Sequence, residues 1–186
     1  IIADVDIVSG ACNVDCEWCI QRDSREAKKP LYMSKETMEN IGQFCKKWGV
    51  KSWRIAGDSE PTLNPNLHIL LKSGHENRID MGLITNGTLL HKVKNLKYLT
   101  WIGISLDAAT PETWSRLKHS PKKNYNKIIK NIRKIKKNYP AVEITLKFVK
   151  WQSKDCLGRR DFSKNKTMKD NNYADAKLLP LLAKKL

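Results

Sequence analysis

Three cysteines lie within eight residues of one another, at Cys12, Cys16 and Cys19. Spacings of four and three residues let one loop fold around a single inorganic centre, whereas three cysteines among Asn, Asp and Glu are a poor pattern for a buried core. A zinc site would want a fourth Cys or His nearby, and none of the four histidines sits at zinc-finger spacing. Three thiolates leave a fourth metal position open, so an iron–sulfur cubane with one free iron fits better than closed structural zinc.

Three other polar segments follow predicted strands. Segment 57–61, with the sequence GDSEP, combines a glycine, which allows close backbone approach to a ligand, with amides and a carboxylate that could receive an ammonium group. The same residues are also ordinary turn formers. Segment 85–87, with the sequence TNG, is typical of a turn at the rim of a sheet. Ser105 and Asp107 are predicted to share one face of a strand end, where they suit ribose hydroxyls or a carboxylate–water network.

Strands and helices alternate along the chain. The patterns predict five strands over 2–9, 51–56, 79–85, 100–106 and 142–148, and about five helices, after a cap at Ser34 and over 65–73, 89–96, 110–138 with a break near Pro121, and 173–186. Serial βα units force parallel pairing with right-handed crossovers, so we expect a parallel sheet covered by helices, either open or curved into a barrel. In such sheets ligands bind at the C-terminal strand ends, where the polar segments fall.

The cysteine motif, Cys-x3-Cys-x2-Cys with Trp18 before the last cysteine, resembles that of the radical S-adenosylmethionine (SAM) enzymes. In that family three thiolates hold a 4Fe-4S cluster, and the amino and carboxylate groups of SAM chelate the fourth iron. Reduction of the cluster cleaves SAM to a 5'-deoxyadenosyl radical, which abstracts hydrogen from a substrate. The resemblance implies that Cys12, Cys16 and Cys19 bind the cluster and that Trp18 packs beside it or beside the adenine.

The other polar segments resemble the same family in the same order along the chain. Segment 57–61 is similar to the Gly-Gly-Glu-Pro motif that contacts the SAM amino group, with Asp58 and Ser59 as departures. The serine of a Ser-x-Asp motif contacts SAM in this family, and the following helix often supplies an arginine to its carboxylate. The resemblance therefore implies these cofactor-binding residues, with the catalytic residue unassigned: Trp18, Gly57, Ser59, Glu60, Pro61, Asn86, Ser105, Asp107 and Arg116.

The resemblance also implies a fold, a partial parallel (β/α)6 TIM-like barrel that stops after about five βα units. The chain begins at Ile1 without an initiator Met or signal peptide. Because the patterns predict five strands and the family's barrel has six, we expect residues 1–186 to be an incomplete radical SAM core domain that lacks its last strand and any C-terminal domain. The residues of these motifs are similar to those in the branch of the family that carries C-terminal cluster-binding (SPASM-like) extensions and modifies peptides and proteins.

The net charge of +16 belongs to one half of the chain. Residues 1–110 hold 14 Lys+Arg against 13 Asp+Glu, while residues 111–186 hold 21 against 6. A basic helix at 122–137 could bind tRNA phosphates or an acidic leader peptide. However, 27 Lys against 8 Arg, with 14 Asn, indicates compositional bias more than phosphate recognition, so nucleic acid is possible but not favoured.

The resemblance of the motifs implies a radical SAM enzyme. Five cysteines without a secretory signal indicate a reducing compartment, so we expect this enzyme in the cytoplasm. The apolar runs are too short to cross a membrane. The expected partners are an electron donor such as a flavodoxin or ferredoxin and a substrate, with a peptide or protein favoured. The alternatives are a tRNA-base-modifying radical SAM enzyme and a non-enzymatic metal-binding module with a basic nucleic-acid-binding face.

Overall fold

A computed structural model describes residues 1–19, 21, 29–150 and 172–186. The strands in these ranges are β1 (Ile2–Val5), β2 (Val8–Ser9), β3 (Leu31–Tyr32), β4 (Ser52–Ile55), β5 (Asp80–Thr85), β6 (Trp101–Ser105) and β7 (Glu143–Lys147). The α-helices are α1 (Lys35–Lys47), α2 (Leu67–Glu76), α3 (Pro111–Lys118), α4 (Lys122–Asn138) and α5 (Tyr173–Lys185). Short 3-10 helices occupy Pro61–Leu63, Leu90–Lys92 and Leu96–Tyr98.

Five of these strands form one parallel sheet in the order β1-β4-β5-β6-β7. Consecutive βα units therefore lie side by side without a reversal of strand order. That order is typical of a barrel, whereas an open doubly wound sheet would contain a switch point. The predicted α/β architecture is confirmed: it is a partial barrel of parallel strands with helices in the crossovers.

The sheet face that meets the helices forms the core. Trp53, Met81 and Ile102 on adjacent strands are each no more than 1% exposed. The isoleucine stripe predicted for α4 packs on this face, and Ile128 and Ile132 are buried with it. Each such side chain contributes about 1.5–3 kcal/mol by burial. The opposite face of α4 exposes its cations: Lys122, Lys123, Lys127, Lys130, Arg133, Lys134, Lys136 and Lys137.

Two predicted elements differ from the observed ones. The strand expected over 2–9 ends at Val5, because the Asp6 carboxylate accepts a hydrogen bond from the Val8 amide at 3.3 Å and turns the chain. Val8 and Ser9, which form β2, pair antiparallel with β3 in a separate small sheet. The helix expected over 89–96 is two short 3-10 turns, because Val93 is extended and Asn95 is left-handed with φ 66°.

The helix ends follow the sequence more closely. The Ser34 hydroxyl accepts from the Thr37 amide at 3.1 Å, which confirms the predicted cap of α1. Gly49, with φ +74°, follows the end of that helix. In the described ranges, none of the helices combines the length and apolar character that crossing a membrane requires.

Candidate cofactor site

The cysteine loop lies at the C-terminal edge of the sheet, where it pairs with the segment that follows β4. The Glu60 amide donates to the Ala11 carbonyl at 3.0 Å, and the Ala11 amide donates to the Ser59 hydroxyl at 3.1 Å. Ser59 in turn donates to the Asp58 carboxylate at 3.0 Å. Segment 57–61 thus holds the start of the cysteine loop through both its backbone and a side chain.

The other side of the loop rests on the C-terminal end of α3. The last carbonyls of a helix have no partner within it. Here the Asp15 amide donates to the Lys118 carbonyl and the Glu17 amide to the Leu117 carbonyl, each at 3.0 Å. The His119 imidazole also contacts the Glu17 carboxylate. The loop that carries the three cysteines is therefore fixed between the end of β4 and the end of α3.

The three cysteines of the loop are partly buried. The Cys19 amide donates to the Cys16 carbonyl at 3.0 Å, which places these two residues in one tight turn. Burial raises the pKa of the Cys16 thiol above its ordinary value, and the Lys118 ammonium opposes that rise. The remaining described cysteine, Cys45, is buried on α1 among core residues, as its position on the apolar stripe predicts.

Asn86 ties the cysteine loop to the end of β5. Its side-chain nitrogen donates to the Asn13 side-chain oxygen at 2.8 Å and lies 4.0 Å from the Cys12 sulfur. Its side-chain oxygen accepts from the Thr88 amide at 3.0 Å and hydroxyl at 2.6 Å, and Asn13 donates to that hydroxyl at 2.7 Å. The structure thus places Asn86 beside the first cysteine.

The Glu60 carboxylate is buried and fully engaged by the protein. One oxygen accepts from the Thr62 amide at 3.1 Å, the Thr62 hydroxyl at 2.5 Å and the Thr85 hydroxyl at 2.6 Å, and the other accepts from the Asn86 amide at 2.8 Å. Burial raises the pKa of Glu60, although these donors oppose the rise. The carboxylate braces the ends of β4 and β5 against each other, and it does not present a free acceptor for an ammonium group.

The neighbours of Glu60 have different environments. Gly57 is exposed at the end of β4, and a Cβ placed there would lie 2.2 Å from the Asp6 carboxylate, so the close approach at this glycine is made by a protein side chain. Pro61 is buried at the start of a 3-10 turn. The structure therefore gathers Gly57, Ser59, Glu60 and Pro61 at the sheet edge beside the cysteine loop.

The Ser-x-Asp segment has a different geometry from the predicted one. Strand β6 ends at Ser105, and Asp107 beyond it is left-handed with φ 59°, so the two side chains do not share a face of one strand. Asp107 is also 2% exposed, and its carboxylate accepts from the Lys118 ammonium at 2.5 Å and from the Val149 amide at 2.7 Å. The prediction that Ser105 and Asp107 share one strand face is wrong, because the strand ends at Ser105 and the Asp107 carboxylate is buried against the Lys118 ammonium.

Lys118 is a buried cation that faces the site from α3. Arg116, the predicted candidate, is exposed on that helix, whereas Lys118 is 2% exposed. The Lys118 ammonium lies 4.8 Å from the centroid of the Trp18 ring, and its charge opposes the rise in the pKa of the buried Cys16 thiol. The pattern held a signal for this residue, because Lys118 follows Trp114 by four positions, on the buried face of α3.

The residues at this edge fit an iron–sulfur cluster. The donor set is three thiols on one loop, and a buried cation beside Cys16 suits an anionic centre. In a cubane each cysteine binds a different iron, so the sulfurs need not meet at one point. Consistent with this, no three His, Cys, Asp or Glu side chains of the described ranges are grouped to hold a single metal ion.

Comparisons with known proteins agree with the site. A family model described as the Radical SAM superfamily matches residues 7–149, which include the cysteine loop and four of the five sheet strands. A probable GTP 3',8-cyclase of Methanocaldococcus jannaschii is 28% identical over 152 residues, which are 75% of this chain and 50% of that protein. The chain thus spans about half the length of the curated relatives it matches.

Solved structures show the same fold. Streptococcus suis SuiB bound to its precursor peptide SuiA matches with a TM-score of 0.59 and 18% identity over 87% of this chain and 34% of that one. SuiB bound to S-adenosylmethionine matches with a TM-score of 0.56 and 19% identity, over 87% and 36% of the two chains. The match of the family model over most of the chain shows that it belongs to the radical SAM superfamily, whose members are enzymes that bind a 4Fe-4S cluster and SAM.

Proposed function

We propose that Cys12, Cys16 and Cys19 hold a 4Fe-4S cluster and that the protein cleaves SAM reductively there to generate a radical for hydrogen abstraction. The observation that carries this proposal is the double anchoring of the cysteine loop, to Ser59 and Glu60 on one side and to the end of α3 on the other. When bound, a reduced cluster supplies the electron that cleaves SAM. The protein's own part is to hold the three thiolates at a fixed edge of the sheet.

The neighbouring residues divide this work between positioning and binding. Asn86 and the Glu60 carboxylate position the site, because their hydrogen bonds join the cysteine loop, β4 and β5. We assign the SAM amino group to the backbone at the exposed Gly57, because the Glu60 carboxylate is buried and already accepts hydrogen bonds from Thr62, Thr85 and Asn86. Trp18, Ser105 and the helix residue Arg116 remain the candidates for the rest of SAM.

Two substrate classes have support from specific observations. The motif residues resemble those of a peptide-modifying branch, and SuiB, which is similar to this chain in fold, is bound to a precursor peptide in its solved structure. The sequence relative named as a probable GTP 3',8-cyclase favours a nucleotide, with 28% identity over 75% of this chain. An electron donor such as a flavodoxin or ferredoxin, a cytoplasmic location and a C-terminal cluster-binding extension complete the proposal.

The proposal is tested by anaerobic reconstitution with iron and sulfide, followed by reduction in the presence of SAM. We expect 5'-deoxyadenosine to form, and Cys16→Ala to abolish it. Cys45→Ala is the matched control, because it removes a thiol that lies in the core, away from the loop. Cleavage that survives Cys16→Ala, or fails equally in Cys45→Ala, would contradict the assignment of the cysteines.

The same assay distinguishes the substrate classes. A true substrate should increase 5'-deoxyadenosine above the level that SAM alone gives, and it should appear as a modified product by mass spectrometry. GTP and a set of nucleotides form one arm, and peptides form the other. A nucleotide that stimulates cleavage and is modified would exclude the peptide assignment for this chain.

A further inference from the structure

Lys118 is a buried cation that the family motifs do not account for. Its side chain is 2% exposed, and its ammonium donates to the Asp107 carboxylate at 2.5 Å. Transfer of an ammonium group from water into a protein interior is unfavourable unless its charge is paired. A lysine is kept at such a position only when its surroundings hold the charge in place, and Asp107 does this.

The same lysine contacts the cysteine loop at several points. Its carbonyl accepts the Asp15 amide at 3.0 Å, and its ammonium lies 4.8 Å from the Trp18 ring centroid, a cation–π distance. Its positive charge also acts on the Cys16 thiol, where it opposes the rise in pKa that burial causes. The backbone of Lys118 therefore holds the loop just before Cys16, and its side chain contacts the loop just after Cys16.

We propose that Lys118 is a positioning residue that keeps a fixed positive charge beside the Cys16 sulfur and thereby raises the reduction potential of the cluster. This inference rests on the proposed function, because it needs the cluster at these cysteines. Reduction adds negative charge, which a nearby cation stabilises most strongly where water is excluded. Asp107 orients the ammonium and offsets part of its charge.

The test is a spectroelectrochemical titration of the reconstituted protein without SAM. We expect Lys118→Met to lower the ratio of reduced to oxidised cluster about tenfold at a fixed potential, which equals about 59 mV for one electron. Lys118→Arg should retain most of the wild-type potential because it keeps the charge. Lys123→Met is the matched control, since it removes a lysine that is exposed on the neighbouring helix, and it should leave the potential unchanged.

Asp107→Asn provides a second variant with the opposite sign. It removes the offsetting negative charge, so the potential should rise above the wild-type value. If Lys118→Met fails to retain a cluster, the Asp107→Asn shift decides: a rise supports the inference, and no change or a fall overturns it. Opposite shifts in the two variants cannot come from a general loosening of the site.

Iron and sulfide analysis of the wild-type protein separates the two levels of the account. No bound cluster in the wild type would refute the proposed function itself. A normal cluster content with equal potentials in the wild type and Lys118→Met would overturn only the inference about Lys118. A difference that appears only after SAM is added would also overturn it, because the lysine would then act through the bound SAM.

Discussion

The hydrogen bonds to the Glu60 carboxylate join the ends of β4 and β5, and Thr85→Val removes one of their hydroxyl donors. The Thr85 hydroxyl donates to the Glu60 carboxylate at 2.6 Å and accepts from the Gly87 amide at 3.0 Å. The residue is 2% exposed, so water cannot replace either partner. Valine fills nearly the same space but offers neither a donor nor an acceptor, and both the carboxylate and the amide lose a bond.

The cost of this substitution follows from the two losses. A hydrogen bond to a charged group is worth about 1.5–3 kcal/mol, and leaving a buried amide unsatisfied costs about 1–3 kcal/mol. These contributions overlap because they share one hydroxyl, so we expect Thr85→Val to lower the free energy of unfolding by about 2–4 kcal/mol. The free energy of unfolding of a typical domain is about 5–15 kcal/mol, so this cost would be a large part of it.

The pH dependence of this cost has a definite sign. Burial raises the pKa of Glu60, so its ionised form is less favourable in the folded than in the unfolded protein, and stability falls as the pH rises through its folded-state pKa. Loss of a donor makes the ionised form still less favourable. The cost of Thr85→Val should therefore be larger at a mildly alkaline pH than at a mildly acidic one.

Urea unfolding of the variant and the wild type at both pH values measures this cost. Thr145→Val is the matched control, because Thr145 is exposed on β7, and surface changes of this kind stay within about 0.5 kcal/mol. If Thr85→Val lowers the free energy of unfolding no more than the control does, or if its cost shrinks as the pH rises, the proposed role of the Glu60 hydrogen bonds is refuted.

The remaining predictions concern a turn and a buried phenol. Gly87→Ala should cost about 1–2 kcal/mol or more in urea unfolding, because φ is +82° and the added Cβ would lie 3.1 Å from Ile128; Gly49→Ala, with φ +74° and open space around it, should cost less. Burial raises the pKa of Tyr125 to about 12, and its hydroxyl donates to the Ala109 carbonyl at 2.7 Å. The phenol's stabilising contribution should be complete below its ordinary pKa and be lost as the pH rises towards 12. Phenolate absorbance of the wild type should include a late-titrating group that Tyr125→Phe removes.

The parts of the fold that repeat along the chain were predictable from the sequence. Each strand of the sheet shows an apolar pattern of its own, and each of the first four is followed by polar residues that meet at one edge. The cysteine loop was equally clear, because three ligands in eight residues form a local pattern. Both predictions rest on residues that are close in sequence, where spacing determines geometry.

The partners of the polar residues were not predictable in the same way. Lys118 and Asp107 are eleven positions apart and Glu60 and Asn86 are twenty-six apart, and each pair is buried by packing between different elements. Sequence spacing does not reveal that Lys118 pairs with Asp107 and lies beside the Trp18 ring. The helical position four residues after Trp114 was the one available signal.

The central claim is that the three cysteines of the loop hold a SAM-binding cluster. Electron paramagnetic resonance of the reconstituted, reduced protein tests it most directly. We expect a 4Fe-4S signal that changes when SAM is added and that is lost in Cys16→Ala but kept in Cys45→Ala. A protein that forms no such cluster, or a signal that is unaffected by SAM, would contradict it.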